Sequence, residues 1–176
     1  MIFEGYIKGL HEINGKAIEA MLRLINKDKR IFIMGNGGSA ATGNHFASDL
    51  QAIGLKAISL CGNVAILTRL SNDHGYDAVF STYLREEYLQ AAETVIVISG
   101  SGDSPNILKA TEYAKERGAV SLALIGFGGG KLKELADYSI ILSSHDYGEV
   151  EGVHSCLCHI IPHLIKKEIE EWKTSA

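Results

Sequence analysis

The fold of this chain is decided by the stretch Ile31-Phe32-Ile33-Met34-Gly35-Asn36-Gly37-Gly38-Ser39-Ala40-Ala41, which continues through Thr42-Gly43-Asn44-His45-Phe46-Ala47-Ser48-Asp49-Leu50. A short apolar run that passes through a Gly/Asn turn into an Ala-rich segment is typical of a buried strand followed by a helix. Ser39 then lies near the helix N-terminus, where unpaired backbone N–H groups and the helix dipole favour an anionic ligand. The stretch indicates either a phosphate-binding loop or an ordinary strand–helix turn.

Two side chains with catalytic chemistry follow within the same predicted helix. His45 and Asp49 are four residues apart, so their imidazole and carboxylate lie on one helix face. The pair fits acid/base chemistry or a metal site, and it also fits a surface pair that only supports the helix.

Composition limits the class of protein. The 176 residues suit one domain, and a hydrophobic content of 46% with two prolines argues against disorder. The net charge of -4 gives no footprint for nucleic acid, and no apolar run approaches the ~20 residues of a membrane span. Three cysteines, an odd number, indicate a reducing compartment. We expect a soluble cytoplasmic protein without nucleic-acid or membrane partners.

Strands and helices alternate along the whole chain. Apolar runs predict strands at about 31–34, 56–60, 94–98, 120–125 and 138–142. Helical periodicity predicts an N-terminal helix at about 4–28 and a long C-terminal helix at about 149–172, and residues 71–76 resemble a polar turn. This order predicts an α/β fold, a doubly wound parallel sheet with helices on both faces, in a single domain over residues 1–176.

A second serine-rich loop follows the third predicted strand. It reads Ser99-Gly100-Ser101-Gly102-Asp103-Ser104, which offers three hydroxyls and two glycines ahead of a helix. The loop indicates a phosphate cradle, and the alternative is a turn that Asp103 or Ser104 merely caps. Because ligands of open α/β sheets bind beyond the carboxyl ends of the strands, both loops are expected to face one crevice.

The C-terminal helix carries a pattern that superficially suggests zinc. His154, Cys156, Cys158, His159 and His163 follow one another closely, but Cys156 and Cys158 point about 200° apart on a helix and cannot share one ion. Buried cysteines on an apolar face fit better, and Pro162 is expected to bend the helix. Glu151 and His159 are roughly 12 Å apart along a continuous helix. Both could therefore meet His45 and Asp49 within one subunit only if Glu151 preceded the helix, and otherwise one would come from a neighbouring subunit.

Taken together, these motifs resemble the sugar isomerase domain superfamily, and within it the phosphoheptose (sedoheptulose 7-phosphate) isomerase family. The matching blocks run in family order from about residue 30 to the end. They are Gly35-Asn36-Gly37-Gly38-Ser39-Ala40, His45-Phe46-Ala47, Asn72-Asp73-x-Gly75, Ser99-x-Ser101-Gly102-x-Ser104-x-Asn106, Gly129-Gly130-Lys131-Leu132 and the spacing of Glu151, His154 and His159.

The resemblance implies a fold, a reaction and an assembly. The fold is a flavodoxin-like five-stranded sheet, and the assembly is a homotetramer with sites at subunit interfaces. The reaction is the aldose–ketose conversion of sedoheptulose 7-phosphate to D-glycero-D-manno-heptose 7-phosphate through an enediol. Zinc, one ion per subunit, is the implied cofactor.

The resemblance also assigns residues. The phosphate falls to Ser39, Ser99, Ser101 and Ser104, and the remaining substrate contacts fall to Asn36, Gly37, Gly38, Asp73 and Glu151. His159 and Asp49 are the implied acid/base pair. His45, Asp49, Glu151 and His159 are the implied metal ligands.

The chain departs from the family pattern in four respects. Asp49 stands where the family usually has Glu, and Glu151 where it has Gln. Just before position 151, where the family usually has an Arg, this chain has Glu149 and Val150. At position 100, where a Thr is common in the family, it has Gly100. Two alternatives therefore remain open: an isomerase of a different phosphosugar, and a non-catalytic sugar-phosphate-binding or regulatory scaffold.

Overall fold

The sheet is parallel throughout and has five strands. The computed structural model of the protein describes residues 3–175, and the side chains of residues 3–171. The strands are β1 (Arg30–Gly35), β2 (Lys56–Ser59), β3 (Thr94–Ser99), β4 (Val120–Ile125) and β5 (Tyr138–Ile141), in the spatial order β2-β1-β3-β4-β5. This arrangement confirms the predicted doubly wound α/β fold and all five predicted strands.

Eight α-helices surround the sheet within the described part of the chain. They are α1 (Glu4–Glu12), α2 (Gly15–Leu24), α3 (Gly38–Ala52), α4 (Val64–His74), α5 (Val79–Glu86), α6 (Pro105–Glu116), α7 (Leu132–Leu135) and α8 (Tyr147–Ser175). Short 3₁₀ turns lie at Tyr76–Ala78 and Phe127–Gly129. None of the helices described is both long enough and apolar enough to cross a bilayer.

Each face of the sheet has its own apolar core, because successive side chains of a strand point to opposite faces. Ile31 and Ile33 of β1 pack with α2, α3 and α8 on one face. Phe32 and Met34 pack with α4, α5, α6 and α7 on the other. All six residues of β3 are buried, as expected for the central strand of a parallel sheet covered on both sides.

The N-terminal segment forms two helices rather than the single predicted one. Ile13 and Asn14 take extended conformations between α1 and α2. The Asn14 side chain accepts a hydrogen bond from the Lys16 backbone N–H at 2.9 Å, which caps the start of α2. The prediction was wrong because the apolar periodicity continues across this break.

Glycines let α1 approach α8 closely. A Cβ at Gly9 would lie 2.9 Å from Cγ2 of Val153, and a Cβ at Gly152 would lie 2.7 Å from Cε1 of Tyr6. The opposite face of α1 leaves large apolar side chains exposed to solvent. They are Phe3, Ile7 and Leu10.

Two further helix boundaries differ from the expectation. α4 continues to His74, so most of the predicted turn at 71–76 is helical, and the helix ends at Gly75, whose φ of +79° favours glycine. α8 begins at Tyr147, so Glu151 lies inside it, and it runs on through Pro162. Cys158 is buried as expected, but Cys156 is exposed, so the expectation of two buried cysteines was wrong for Cys156: residues two apart on a helix point in nearly opposite directions.

An ion pair joins Arg30, the first residue of β1, to Glu93, which directly precedes β3. The Arg30 guanidinium donates to both carboxylate oxygens of Glu93, from Nε at 2.5 Å and from Nη2 at 2.9 Å. Its Nη1 donates to the Glu87 carbonyl at 3.0 Å. Burial raises the pKa of Glu93, but the hydrogen bonds from Arg30 and from the Gln90 amide outweigh it and leave that pKa below its usual value.

Candidate functional site

A cavity of about 220 Å³ opens at the carboxyl ends of β1 and β3, where the two serine-containing loops meet. These strands are neighbours in the sheet although the chain leaves them toward opposite faces, and such a switch point is where open α/β sheets bind ligands. The lining residues are Asn36, Gly37, Ser39, Ser99, Gly100, Ser101, Ser104, Tyr147 and Glu151. Seven of the nine expected substrate residues therefore lie around one cavity.

The first loop turns sharply into α3. Gly37 precedes the helix with φ +54° and ψ -124°, a conformation that favours glycine. A side chain at Gly38 would collide with the Glu151 carboxylate, so that carboxylate rests against the N-terminus of α3. This is the end of a helix that attracts negative charge.

The second loop holds its serines ready for a ligand. Ser99 Oγ accepts from the Gly102 N–H at 3.0 Å, while Ser104 precedes α6 without making a capping hydrogen bond. Asp103 accepts from the Lys131 N–H at 3.0 Å and does not line the cavity. The negative charge of Asp103 is thus directed toward the backbone of Lys131, just before α7, and away from the cavity. Ser104, in contrast, lines the cavity.

Two residues without an assigned role at the sequence level hold Asn36. Asn36 and Asn106 exchange two hydrogen bonds through their amides, each 2.9 Å long. Tyr76 Oη donates to Asn36 Oδ1 at 2.7 Å. Asn106 belongs to a quoted motif, but Tyr76 comes from the 3₁₀ turn after α4, and no local pattern in the sequence links it to Asn36.

Tyr147 was also missed, and it lies against Gly100, one of the positions that depart from the family pattern. Its ring lies on Gly100, where a Cβ would be 2.7 Å from Tyr147 Cε1. The Phe127 ring contacts the same tyrosine with centroids 4.6 Å apart. A threonine at position 100 would overlap the ring, so Gly100 and Tyr147 fit each other.

Asp73 does not reach the cavity in this chain. It lies on the exposed surface of α4, where its carboxylate accepts from Asn72 Nδ2 at 3.2 Å. The structure therefore does not bring Asp73 together with the other expected substrate residues.

A second group of functional side chains lies further along α3 and α8. Asp49 Oδ2 lies 3.2 Å from His159 Nδ1 and 3.5 Å from His45 Nε2. The two imidazole rings meet edge to face with centroids 4.9 Å apart. The shorter Asp49 side chain thus reaches both histidines. The His45 side chain is 60% exposed and the His159 side chain is 57% exposed.

This group fits a zinc ion. Zinc prefers imidazole nitrogen and carboxylate oxygen, and three ligands at about 2.1 Å on a tetrahedral ion lie about 3.4 Å from one another. The two distances to Asp49 Oδ2 match that spacing, and a three-residue set leaves the fourth position for water or substrate. Among the described side chains this group contains His45, Asp49 and His159. It does not contain Glu151, which lies two turns earlier in α8 beside the serines.

Between Glu151 and His159, α8 buries a further imidazole. His154 is 1% exposed, and neither ring nitrogen has a partner with hydrogen-bond geometry among the residues that the structure describes. Burial lowers the pKa of His154 to about 4, against a weaker opposing effect of the nearby Ile125 carbonyl. The ring is therefore neutral at physiological pH.

Cys61 and Cys158 are not reactive thiols of this site. Burial raises the pKa of each, and for Cys158 the nearby charge of Asp49 acts in the same direction. The three cysteines are all free.

Known proteins resemble this chain over nearly its whole length. The SIS domain family matches residues 6–126. The phosphoheptose isomerase of Citrifermentans bemidjiense is 36% identical over 163 residues, which cover 87% of this chain and 84% of that protein. The phosphoheptose isomerase of Helicobacter pylori strain P12 is 36% identical over 168 residues, which cover 92% of this chain and 86% of that protein.

Solved structures agree. The phosphoheptose isomerase from Francisella tularensis superimposes with a TM-score of 0.87 at 27% identity, covering 94% of this chain and 95% of that one. The phosphoheptose isomerase from Neisseria gonorrhoeae gives a TM-score of 0.80 at 30% identity, and the match covers 95% of this chain and 88% of that one. The resemblance seen in the motifs is confirmed: this chain belongs to the SIS domain family and, within it, to the phosphoheptose isomerases.

Proposed function

We propose that this protein is an aldose–ketose isomerase that converts sedoheptulose 7-phosphate to D-glycero-D-manno-heptose 7-phosphate. The observation that carries the proposal is the placement of two groups on the same pair of helices. The serine cavity lies at the start of α3 and α8, and the His45, Asp49 and His159 group lies further along both. One group suits the phosphate of a sugar phosphate, and the other suits its carbonyl end.

The separation of the two groups suits the length of an open-chain sugar phosphate. Ser39 and His45 are six residues apart in α3, roughly 9 Å along the helix axis. An open-chain heptose phosphate is roughly 10 Å long from C1 to phosphorus, at about 1.2 Å per bond of an extended chain. With its phosphate among Ser39, Ser99, Ser101 and Ser104, the C1–C2 end of the sugar reaches the histidines.

Asp49 and His159 have two alternative roles in this proposal: as the pair that transfers the protons, described here, or as ligands of the metal. Asp49 Oδ2 faces both imidazoles, which leaves Oδ1 to remove a proton from C1 of the ketose. His159 Nδ1 faces Asp49, and the protonated ring carries a second proton on Nε2, which it gives to the carbonyl oxygen at C2. The product of these two transfers is the enediol. Asp49 then returns its proton to C2, and Nε2 of His159 takes the O1 proton, which gives the aldose and restores both groups.

His45, Asp49 and His159 would hold the zinc ion, one per subunit. When bound there, zinc supplies a Lewis acid that polarises the sugar carbonyl. Glu151 is proposed as a substrate contact, because it lies in the serine cavity and outside the three-residue group.

A homotetramer with interfacial sites completes the proposal. The exposed histidines leave the metal group open on one side, and the exposed apolar face of α1 is available for another subunit. Such faces on soluble proteins mark interaction surfaces. We place the protein in the cytoplasm, where its three free cysteines stay reduced.

The decisive experiment follows turnover directly. Purified protein is incubated with sedoheptulose 7-phosphate, with added zinc and after chelation, and formation of the aldose is followed by NMR. We expect zinc-dependent conversion, lost in Ser104→Ala and in His159→Ala. His163→Ala is the matched control, because His163 is exposed on the same helix one turn later. No conversion by folded wild-type protein in either state, or full activity in both loss variants, would refute the proposal.

A further inference from the structure

The amide of Asn36 is held in one orientation by a chain of hydrogen bonds that starts at the backbone. The Ile107 N–H lies 3.0 Å from Asn106 Oδ1 as well as 3.0 Å from the Ser104 carbonyl. An N–H this close faces the oxygen of an amide and not its NH₂ group, which identifies the oxygen of Asn106. Asn106 Nδ2 must then face Asn36 Oδ1, at 2.9 Å. Because Asn106 is 2% exposed, it cannot turn toward solvent to escape this arrangement.

The hydrogen-bonding capacity of Asn36 follows by counting. Its Oδ1 accepts from Asn106 Nδ2 and from Tyr76 Oη, which uses both lone pairs of the oxygen. Its Nδ2 donates one hydrogen to Asn106 Oδ1. One N–H is left over, on a side chain that lines the serine cavity.

We propose that Asn106 and Tyr76 are positioning residues that make Asn36 a single hydrogen-bond donor to an oxygen acceptor of the phosphosugar. The inference rests on the proposed function for its ligand. Asn36 then cannot accept a hydrogen bond from a sugar hydroxyl, so the site selects a ligand oxygen that can accept at this point. Asn106 acts only through Asn36.

The substitution Asn106→Asp tests this arrangement because it keeps the shape of the side chain. The carboxylate still accepts from Ile107 N–H and from Asn36 Nδ2, but it cannot donate to Asn36 Oδ1. Two oxygens then face each other, and the Asn36 amide is driven out of its orientation. We expect KM for sedoheptulose 7-phosphate to rise about tenfold near pH 8, with a smaller change in kcat.

Lowering the pH provides a readout that a purely structural role would not give. A protonated Asp at position 106 again carries a donor for Asn36 Oδ1, so the KM of the variant should approach that of wild type as the pH falls. Wild-type protein at each pH corrects for titration of the substrate phosphate. Tyr76→Phe removes one donor without adding charge, so it should raise KM about threefold at every pH, with no recovery.

A double variant separates positioning from an independent effect. If Asn106 acts through Asn36, Asn36→Ala combined with Asn106→Asp should bind no more weakly than Asn36→Ala alone. Additive losses would overturn the inference. So would an Asn106→Asp protein with a lowered Tm but an unchanged KM.

The same series distinguishes the two proposals. If wild-type protein binds sedoheptulose 7-phosphate without converting it, the isomerase proposal fails, and Kd values for the same variants still test the role of Asn106. If conversion occurs but the losses of binding caused by Asn36→Ala and Asn106→Asp are additive, only the positioning role fails. If wild-type protein binds no phosphosugar, both are wrong.

Discussion

At the scale of single residues, the buried imidazole of His154 links stability to pH. The unfolded chain takes up a proton near pH 6.5, whereas the folded ring stays neutral down to about pH 4. The unfolded state therefore binds more protons within this window, and folding stability falls as the pH is lowered through it.

The substitution His154→Leu should remove that dependence. We expect wild-type protein to lose about 2 kcal/mol more than the variant between pH 7 and pH 5, measured by urea unfolding. At pH 7 the variant should be at least as stable, because neither ring nitrogen makes a hydrogen bond that leucine would forfeit. Parallel pH profiles for the two proteins would contradict this.

The carboxylate of Glu151 shares a small cavity with the proposed phosphate site. Two unit charges about 6 Å apart repel by roughly 3 kcal/mol at an effective dielectric constant of about 20, and solvent at this partly exposed side chain reduces the effect. We expect Glu151→Gln to bind inorganic phosphate roughly tenfold more tightly by calorimetry.

Glu149→Gln is the control for that variant. It changes the net charge equally, but the Glu149 carboxylate lies against Gly5 of α1 and accepts from Ser144 Oγ. Equal phosphate affinity in wild type and Glu151→Gln would show that the carboxylate does not face the anion.

Sequence reasoning at this scale found residues whose chemistry is visible locally. Ser99, Ser101 and Ser104 lie in one glycine-rich loop, and His45 and Asp49 are one helical turn apart. Tyr76, Asn106 and Tyr147 gain their roles from contacts with distant segments, which periodicity and spacing do not report. Metal binding and acid/base chemistry at Asp49 and His159 stay predictions.

At the scale of elements, the first turn of α8 sets one wall of the cavity. Gly100→Thr should destabilise the protein by about 1 to 3 kcal/mol and weaken sedoheptulose 7-phosphate binding, because the new Cβ meets the Tyr147 ring. The cost is steric, since Gly100 does not have a positive φ.

Adding Tyr147→Ala should rescue Gly100→Thr, because the ring that causes the overlap is gone. Thermal unfolding and calorimetric Kd values of the two single variants and the double variant measure this coupling. If the double variant is no more stable and binds no more tightly than Gly100→Thr alone, the Tyr147 ring does not cause the loss of stability and binding.

Element boundaries show what local sequence signals can and cannot resolve. The five strands were predictable because each contains a short apolar run. β1, β3 and β4 are mostly buried, whereas each edge strand buries one residue, Ala57 in β2 and Ile140 in β5. The break between α1 and α2 was not, because Asn14 interrupts an apolar pattern that continues on both sides. The start of α8 at Tyr147 likewise decides that Glu151 and His159 are two turns apart in the same chain.

At the scale of the whole molecule, the exposed face of α1 tests the proposed assembly. Ile7 is 52% exposed at the centre of that face. We expect Ile7→Glu to dissociate the oligomer in sedimentation experiments and to reduce turnover, since a charge in an apolar interface is costly. Lys8→Glu places the same carboxylate one residue away, where the side chain is 73% exposed, and should leave assembly unchanged. A monomeric wild-type protein that is fully active would contradict the interfacial site.

The Arg30–Glu93 ion pair lies at the amino edge of the sheet, and the cavity lies at its carboxyl edge. The bonds that fasten the central strands are thus remote from the loops that meet the ligand. Over evolutionary time, or in laboratory selection, the loops at the carboxyl edge can therefore exchange side chains and acquire new sugar preferences without weakening that attachment. Substitutions at Arg30 or Glu93, in contrast, should be removed by selection because they lower the amount of folded protein, and not because they lower catalysis.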